Sequence, residues 1–179
     1  MVYIFLAPGF EEAEALVPAD LLRRAGIDTA LAGTDHGPVA GGHGIAVLPD
    51  MELSQVELED AEMLVLPGGG RGVENLACCP QVEQLIRLAA AQGIPVAAIC
   101  AAPTLLARWG LLEGRRAVCF PGLEDKLTGA RPTDASVVPD GAFITARAAG
   151  SAFDFGLELV KALAGGEKAE EVRRSVHYR

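Results

Sequence analysis

Pro95-Val96-Ala97-Ala98-Ile99-Cys100-Ala101-Ala102-Pro103 decides the fold. An apolar run ends in a cysteine, small residues follow at once, and a proline stands where a helix would begin its first turn. A buried strand passing directly into a helix is the repeating unit of a parallel α/β sheet. The same alternation extends in both directions along the chain. Val2–Ala7, Asp28–Ala32, Ile45–Leu48, Met63–Leu66, Pro95–Ile99, Ala117–Phe120 and Ala142–Ala146 read as strands. Helical spacing of apolar residues marks Glu12–Ala25, Pro80–Ala91, Ala101–Trp109 and Ser151–Ala164, with Gly26 and Gly110 as stops and Ser151 as an N-cap. Pro18 is expected to kink or restart the first helix. A short charged segment, Glu167–Arg174, closes the chain, and no repeat or linker divides it, so residues 1–179 read as a single domain.

Composition narrows the function. The chain has 179 residues, 50% hydrophobic and 22% charged, with a formal charge of -9. That length is enough for a self-sufficient core without a disulfide or metal staple. The acidic balance and scattered basic residues argue against nucleic acid and anionic membranes, whose phosphates need clustered Lys and Arg. Leu88–Ala107 carries no charge and is about the roughly 20 residues that span a bilayer, but Gln92-Gly93, Pro95 and Pro103 break it into helix, turn, strand and helix. The first residues lack a basic region and a long apolar run, so no signal peptide is read and a cytoplasmic location is expected. There Cys78, Cys79, Cys100 and Cys119 should be thiols. No C-x-x-C or His/Cys metal spacing occurs.

In open α/β sheets, sites lie beyond the carboxyl ends of strands. Three such ends carry chemistry. Cys100, at a strand-to-helix junction between small residues, has the setting of a nucleophile elbow, and the helix start beyond it should lower the thiol pKa. Gly68-Gly69-Gly70 offers unhindered backbone N–H groups of the kind an oxyanion hole uses. It matches neither G-x-G-x-x-G nor a P-loop. Glu11 and Glu12 read as acidic residues complementing a helix start. Glu14, one turn in, is placed to lie under the elbow, where burial beside a thiol would keep it protonated.

Beside these segments stand Gly9-Phe10-Glu11-Glu12-Ala13-Glu14, Val17-Pro18-Ala19-Asp20-Leu21-Leu22-Arg23-Arg24-Ala25-Gly26, Leu66-Pro67-Gly68-Gly69, Leu123-Glu124-Asp125-Lys126 and Gly150-Ser151-Ala152-Phe153-Asp154-Phe155. Together they resemble the ThiJ/PfpI superfamily, in its DJ-one branch, over almost the whole chain. The resemblance implies a flavodoxin-like three-layer sandwich, usually a homodimer. It also implies Cys100 as the reactive cysteine, Glu14 as its protonated partner, and Gly69 and Ala101 as backbone donors. No cofactor or metal is implied.

One departure matters. Where the family commonly has a His before a Pro, this chain has Phe120-Pro121, and phenylalanine shuttles no proton. That counts against amidase or protease chemistry. His43 falls near a family Arg that reaches across the dimer, so His43 and Arg24 of a second copy are expected to form a basic rim near Cys100. Two functions follow as expectations. One is a glyoxalase or deglycase acting on methylglyoxal-type 2-oxoaldehydes or their adducts. The other is a redox-responsive or chaperone-like stress protein in which Cys100 is oxidised.

Overall fold

The computed structural model describes Met1–Arg179. In chain order the elements are β1 (Val2–Leu6), α1 (Glu12–Arg24), β2 (Thr29–Gly33), β3 (Val39–Ala40), β4 (Ala46–Val47), β5 (Met51–Glu52) and β6 (Met63–Leu66). Then come α2 (Gly70–Ala77), α3 (Pro80–Gln92), β7 (Val96–Ile99), α4 (Pro103–Arg108), β8 (Arg116–Ala117), β9 (Arg131–Pro132), β10 (Val137–Asp140), β11 (Phe143–Ala146), α5 (Ala152–Ala164) and α6 (Gly166–Ser175). One seven-stranded sheet runs in the order β10-β11-β7-β6-β1-β2-β5. All its neighbours are parallel except the edge pair β10 and β11.

The period-two geometry of strands sorts the core into two layers. Tyr3, Phe5, Leu64, Leu66, Val96 and Ala98 face one side, where Leu76, Val82, Ile86 and Leu106 close over them. Val2, Ile4, Leu6, Met63, Val65, Ala97 and Ile99 face the other, under Leu21, Leu22, Phe155, Leu159 and Val160. A strand buried on both faces needs no polar alternation, which explains the continuous apolar runs of β1, β6 and β7. The result is the expected α/β three-layer sandwich.

Four expectations need correction. Pro18 does not restart α1, which continues from Glu12 to Arg24 with Pro18 buried. The ring removes one intrahelical N–H, and packing against α5 holds the helix across the gap. Ser151 stands at the N-cap of α5 but makes no side-chain capping bond. Ile45–Leu48 does not join the main sheet; Ala46–Val47 pairs only with Val39–Ala40 in a separate hairpin. Ala117–Phe120 likewise stays outside it, because the paired residues there are Arg116 and Ala117, bound to Arg131 and Pro132.

Candidate active site

Strands β1, β6 and β7 are adjacent at the sheet centre, so their carboxyl ends deliver Glu14, Gly68–Gly69 and Cys100 to one place. Cys100 has φ 66°, and His177 is the other non-glycine residue with a positive value. For an L-residue this left-handed conformation costs roughly 1–2 kcal/mol and persists only where its surroundings over-determine it. Two backbone bonds do so. The Cys100 N–H donates to the Ala146 carbonyl at 2.9 Å, and the Phe120 N–H donates to the Cys100 carbonyl at 2.7 Å. The Cys100 carbonyl and the Ala101 N–H belong to one peptide plane. The Phe120 bond therefore also aims the Ala101 N–H.

Gly68 separates the two reactive side chains. A Cβ there would stand 3.0 Å from the Cys100 Sγ and would overlap the Glu14 carboxyl group, so only glycine leaves room for the pair. The Gly68 N–H donates to Glu14 Oε2 at 2.9 Å. Glu14 is fully buried, and its Oε1 has no hydrogen-bond partner. The backbone N–H groups of Gly69 and Ala101 and the Glu14 carboxyl all lie near enough to Sγ to influence its ionisation, the two N–H groups favouring the thiolate. The structure thus brings together Cys100, Glu14, Gly69 and Ala101.

Burial raises Glu14 to about 7, against opposing hydrogen bonds from Cys100 and Gly68. Burial, followed by the charge of Glu14, pushes the Cys100 thiol up to about 12, while the Gly69 and Ala101 N–H groups pull it down. The two side chains therefore act as one coupled acid, which loses a first proton near neutral pH and holds the second far above it. Three N–H groups decide where the remaining charge sits. Two face the sulfur and one faces Oε2, so the charge is best solvated on the sulfur with the proton on the otherwise unpartnered Oε1. The expected contribution of a helix start is small, because α4 has only six residues and begins three residues after Cys100.

Arg24 and His43 are not drawn to this pocket within the chain. Arg24 pairs with Asp20 at 2.7 Å, and the His43 ring sits 2.9 Å from Glu12 and 3.5 Å from Glu11. A cleft of about 750 Å³ opens beside Gly70 and Ala101, between α2, α4 and residues 123–128. Val73 and Leu105 line it, with Arg108 and Lys126 balanced by Glu74 and Asp125. The Phe120 side chain is half exposed. Glu12, read from the sequence only as complementing the helix start, is buried and accepts bonds from the 43–45 segment. No local pattern links residues 31 positions apart.

No helix is long and apolar enough to cross a membrane. Residues 1–162 match the DJ-1/PfpI family. The Drosophila melanogaster protein dj-1beta is 39% identical over 97% of this chain and 94% of its own length. The crystal structure of that Drosophila protein superposes with a TM-score of 0.93 at 37% identity, covering 99% of this chain and 97% of the other. A Caenorhabditis elegans protein named glutathione-independent glyoxalase DJR-1.2 is 34% identical over 90% of this chain and 87% of its own. A Pyrococcus abyssi protein named a deglycase is 33% identical over 90% of this chain and 98% of its own. Full-length similarity at this level, on a fold that places Cys100 at a strained strand-to-helix turn, shows that the chain belongs to the DJ-1/PfpI family.

Proposed function

We propose that this protein is a cofactor-independent, Cys100-dependent glyoxalase or deglycase acting on methylglyoxal-type 2-oxoaldehydes or their adducts. The observation that carries the reading is the coupled Cys100–Glu14 pair under two backbone donors. The relatives named glyoxalase and deglycase support it. The thiolate adds to the aldehyde carbon of methylglyoxal, forming a C–S bond. The Gly69 and Ala101 N–H groups hold the alkoxide, and protonated Glu14 neutralises it to a hemithioacetal. The Glu14 carboxylate then removes the proton from C1 and returns it at C2, which oxidises C1 and reduces C2 within the same molecule. Water cleaves the resulting thioester, releasing lactate and the free thiol. A base near pKa 7 is suited to this proton transfer at neutral pH. Phe120 offers no second acid-base group, so turnover should be slow.

The reading takes a small carbonyl compound as partner and a homodimer as the assembled state, in keeping with the family. Formation of D-lactate from methylglyoxal by wild type and not by Cys100→Ser supports it. Equal background from both proteins overturns it.

The donors around Sγ favour a second reading, since they would also hold a sulfinate. Here a peroxide oxidises Cys100, and protonated Glu14 donates to the new oxygen. Mass spectrometry after mild peroxide should then find two added oxygens on Cys100 before Cys78, although Cys78 is the more exposed thiol. Uniform oxidation of all four cysteines contradicts it.

A further inference from the structure

A cleft larger than a small carbonyl compound requires begins one residue from the reactive cysteine. Gly70 and Ala101 line its near end, and it continues for about 750 Å³ between α2, α4 and residues 123–128. Sites of that volume enclose ligands several times larger than a three-carbon aldehyde. The cleft lies on the sheet face covered by α2, α3 and α4. Helix α1, which carries Arg24, and the β3–β4 hairpin beside His43 pack on the opposite face. The cleft is therefore separate from the boundary expected with a second copy.

Its lining has two parts. Val73, Leu105 and Ala107 are buried and give an apolar floor on which an alkyl arm can lie. Arg108 and Lys126 stand exposed at the rim, as do Glu74 and Asp125. None of these four side chains meets an opposite charge of the chain within 4.0 Å. Equal numbers of both signs around one opening favour a zwitterion over a simple anion or cation, because each of its ends finds a partner. An amino acid is a zwitterion of suitable size, and its side chain supplies the arm that crosses the floor.

We propose that the cleft holds the amino-acid half of an adduct whose carbonyl-derived half lies at Cys100. The α-carboxylate faces Arg108 and Lys126, and the α-ammonium faces Glu74 and Asp125. The preferred substrate is then a 2-oxoaldehyde adduct on the side-chain amine of a free amino acid, whereas the bare aldehyde leaves the cleft empty. This assignment rests on the reading of Cys100 as a nucleophile toward such adducts and adds the residues that select them. Arg108 and Lys126 bind the distal end and touch no reacting atom.

Affinity labelling tests this without turnover. Nε-bromoacetyl-lysine carries a zwitterion at the end of its alkyl arm, and N-butyl bromoacetamide has the same arm without charge. With either probe the Cys100 thiolate displaces bromide and forms a C–S bond, and mass spectrometry follows the rate. The lysine probe should label Cys100 with saturation and about tenfold faster than the butyl probe. Lys168→Ala, whose cation lies on α6 and pairs with Glu171, should keep that ratio. Arg108→Ala and Lys126→Ala should each lower it about two- to fivefold, and the double variant should bring it near unity. Equal rates for the two probes in wild type, absence of labelling included, overturn the proposal. So does a ratio that survives in the double variant. Lactate formation from methylglyoxal is measured on the same proteins. Turnover with equal labelling rates removes the cleft and keeps the Cys100 reading, whereas unequal rates without turnover keep the amino-acid site and remove the carbonyl chemistry.

Discussion

Glu12 and Glu14 stand two residues apart in the first turn of α1, and both are buried. Their electrostatics are opposite. Burial opposes ionisation of Glu12, but the His43 ring and backbone N–H groups outweigh it and draw the carboxyl down to about 2. Glu14 receives one backbone N–H and faces a thiol, and burial raises it to about 7. Removal from water alone does not set the charge of a buried acid; the number and kind of donors around it do. One carboxylate is therefore used to hold a loop, and the other to hold a proton beside a nucleophile.

The sharpest way to break this contrast is to remove the sulfur that Glu14 serves. Cys100→Ser should reduce lactate formation from methylglyoxal to background, measured enzymatically, with circular dichroism unchanged. Next, Glu14→Gln should lower turnover by about 10²–10⁴-fold. It should leave the melting temperature equal or higher, since a buried ionisable group is removed. A comparable loss is expected from Gly68→Ala, whose added methyl would intrude between Glu14 and Cys100.

Glu12→Gln should act on the other side of the comparison. It weakens the charge-assisted bonds to residues 43–45 and should cost about 1–3 kcal/mol of stability by urea unfolding. Turnover should change less than it does in Glu14→Gln. The pH dependence separates the two acids by sign. The Cys100–Glu14 pair keeps both protons until near 7, where an unfolded carboxyl ionises near 4.5, so the pair's contribution to stability is present below about 4.5 and is lost as pH rises through about 7. Glu12 is depressed, so its contribution is present above about 4.5 and is lost as pH falls toward about 2. Unfolding of each Gln variant across these windows should show the corresponding slope removed. The smallest effect is expected from Phe120→Ala, because its backbone N–H, not its ring, holds the Cys100 carbonyl.

The central strands were readable because burial on both faces writes a continuous apolar run, and β6 spans the expected Met63–Leu66. Helix α2 was not, since Gly70 and Gly72 make its first turn look like loop and its stability comes from tertiary packing of Val73 and Leu76. Edge strand β10 was hidden by Pro139, a residue tolerated only where a ladder has a free side. At the site, Cys100 stood out through its small neighbours, and Glu14 through its position after β1. The Glu12–His43 bond and the Phe120 bond to the elbow join distant segments through backbone geometry, which side-chain patterns do not encode.

The coupled pair is tested most directly by the pH dependence of Cys100 alkylation, followed by mass spectrometry in wild type and Glu14→Gln. Proton transfer onto Glu14 predicts a wild-type midpoint below the roughly 8.5 of a free thiol, and an upward shift in Glu14→Gln. A wild-type midpoint at or above that of a free thiol, or one that Glu14→Gln leaves unmoved, would contradict it.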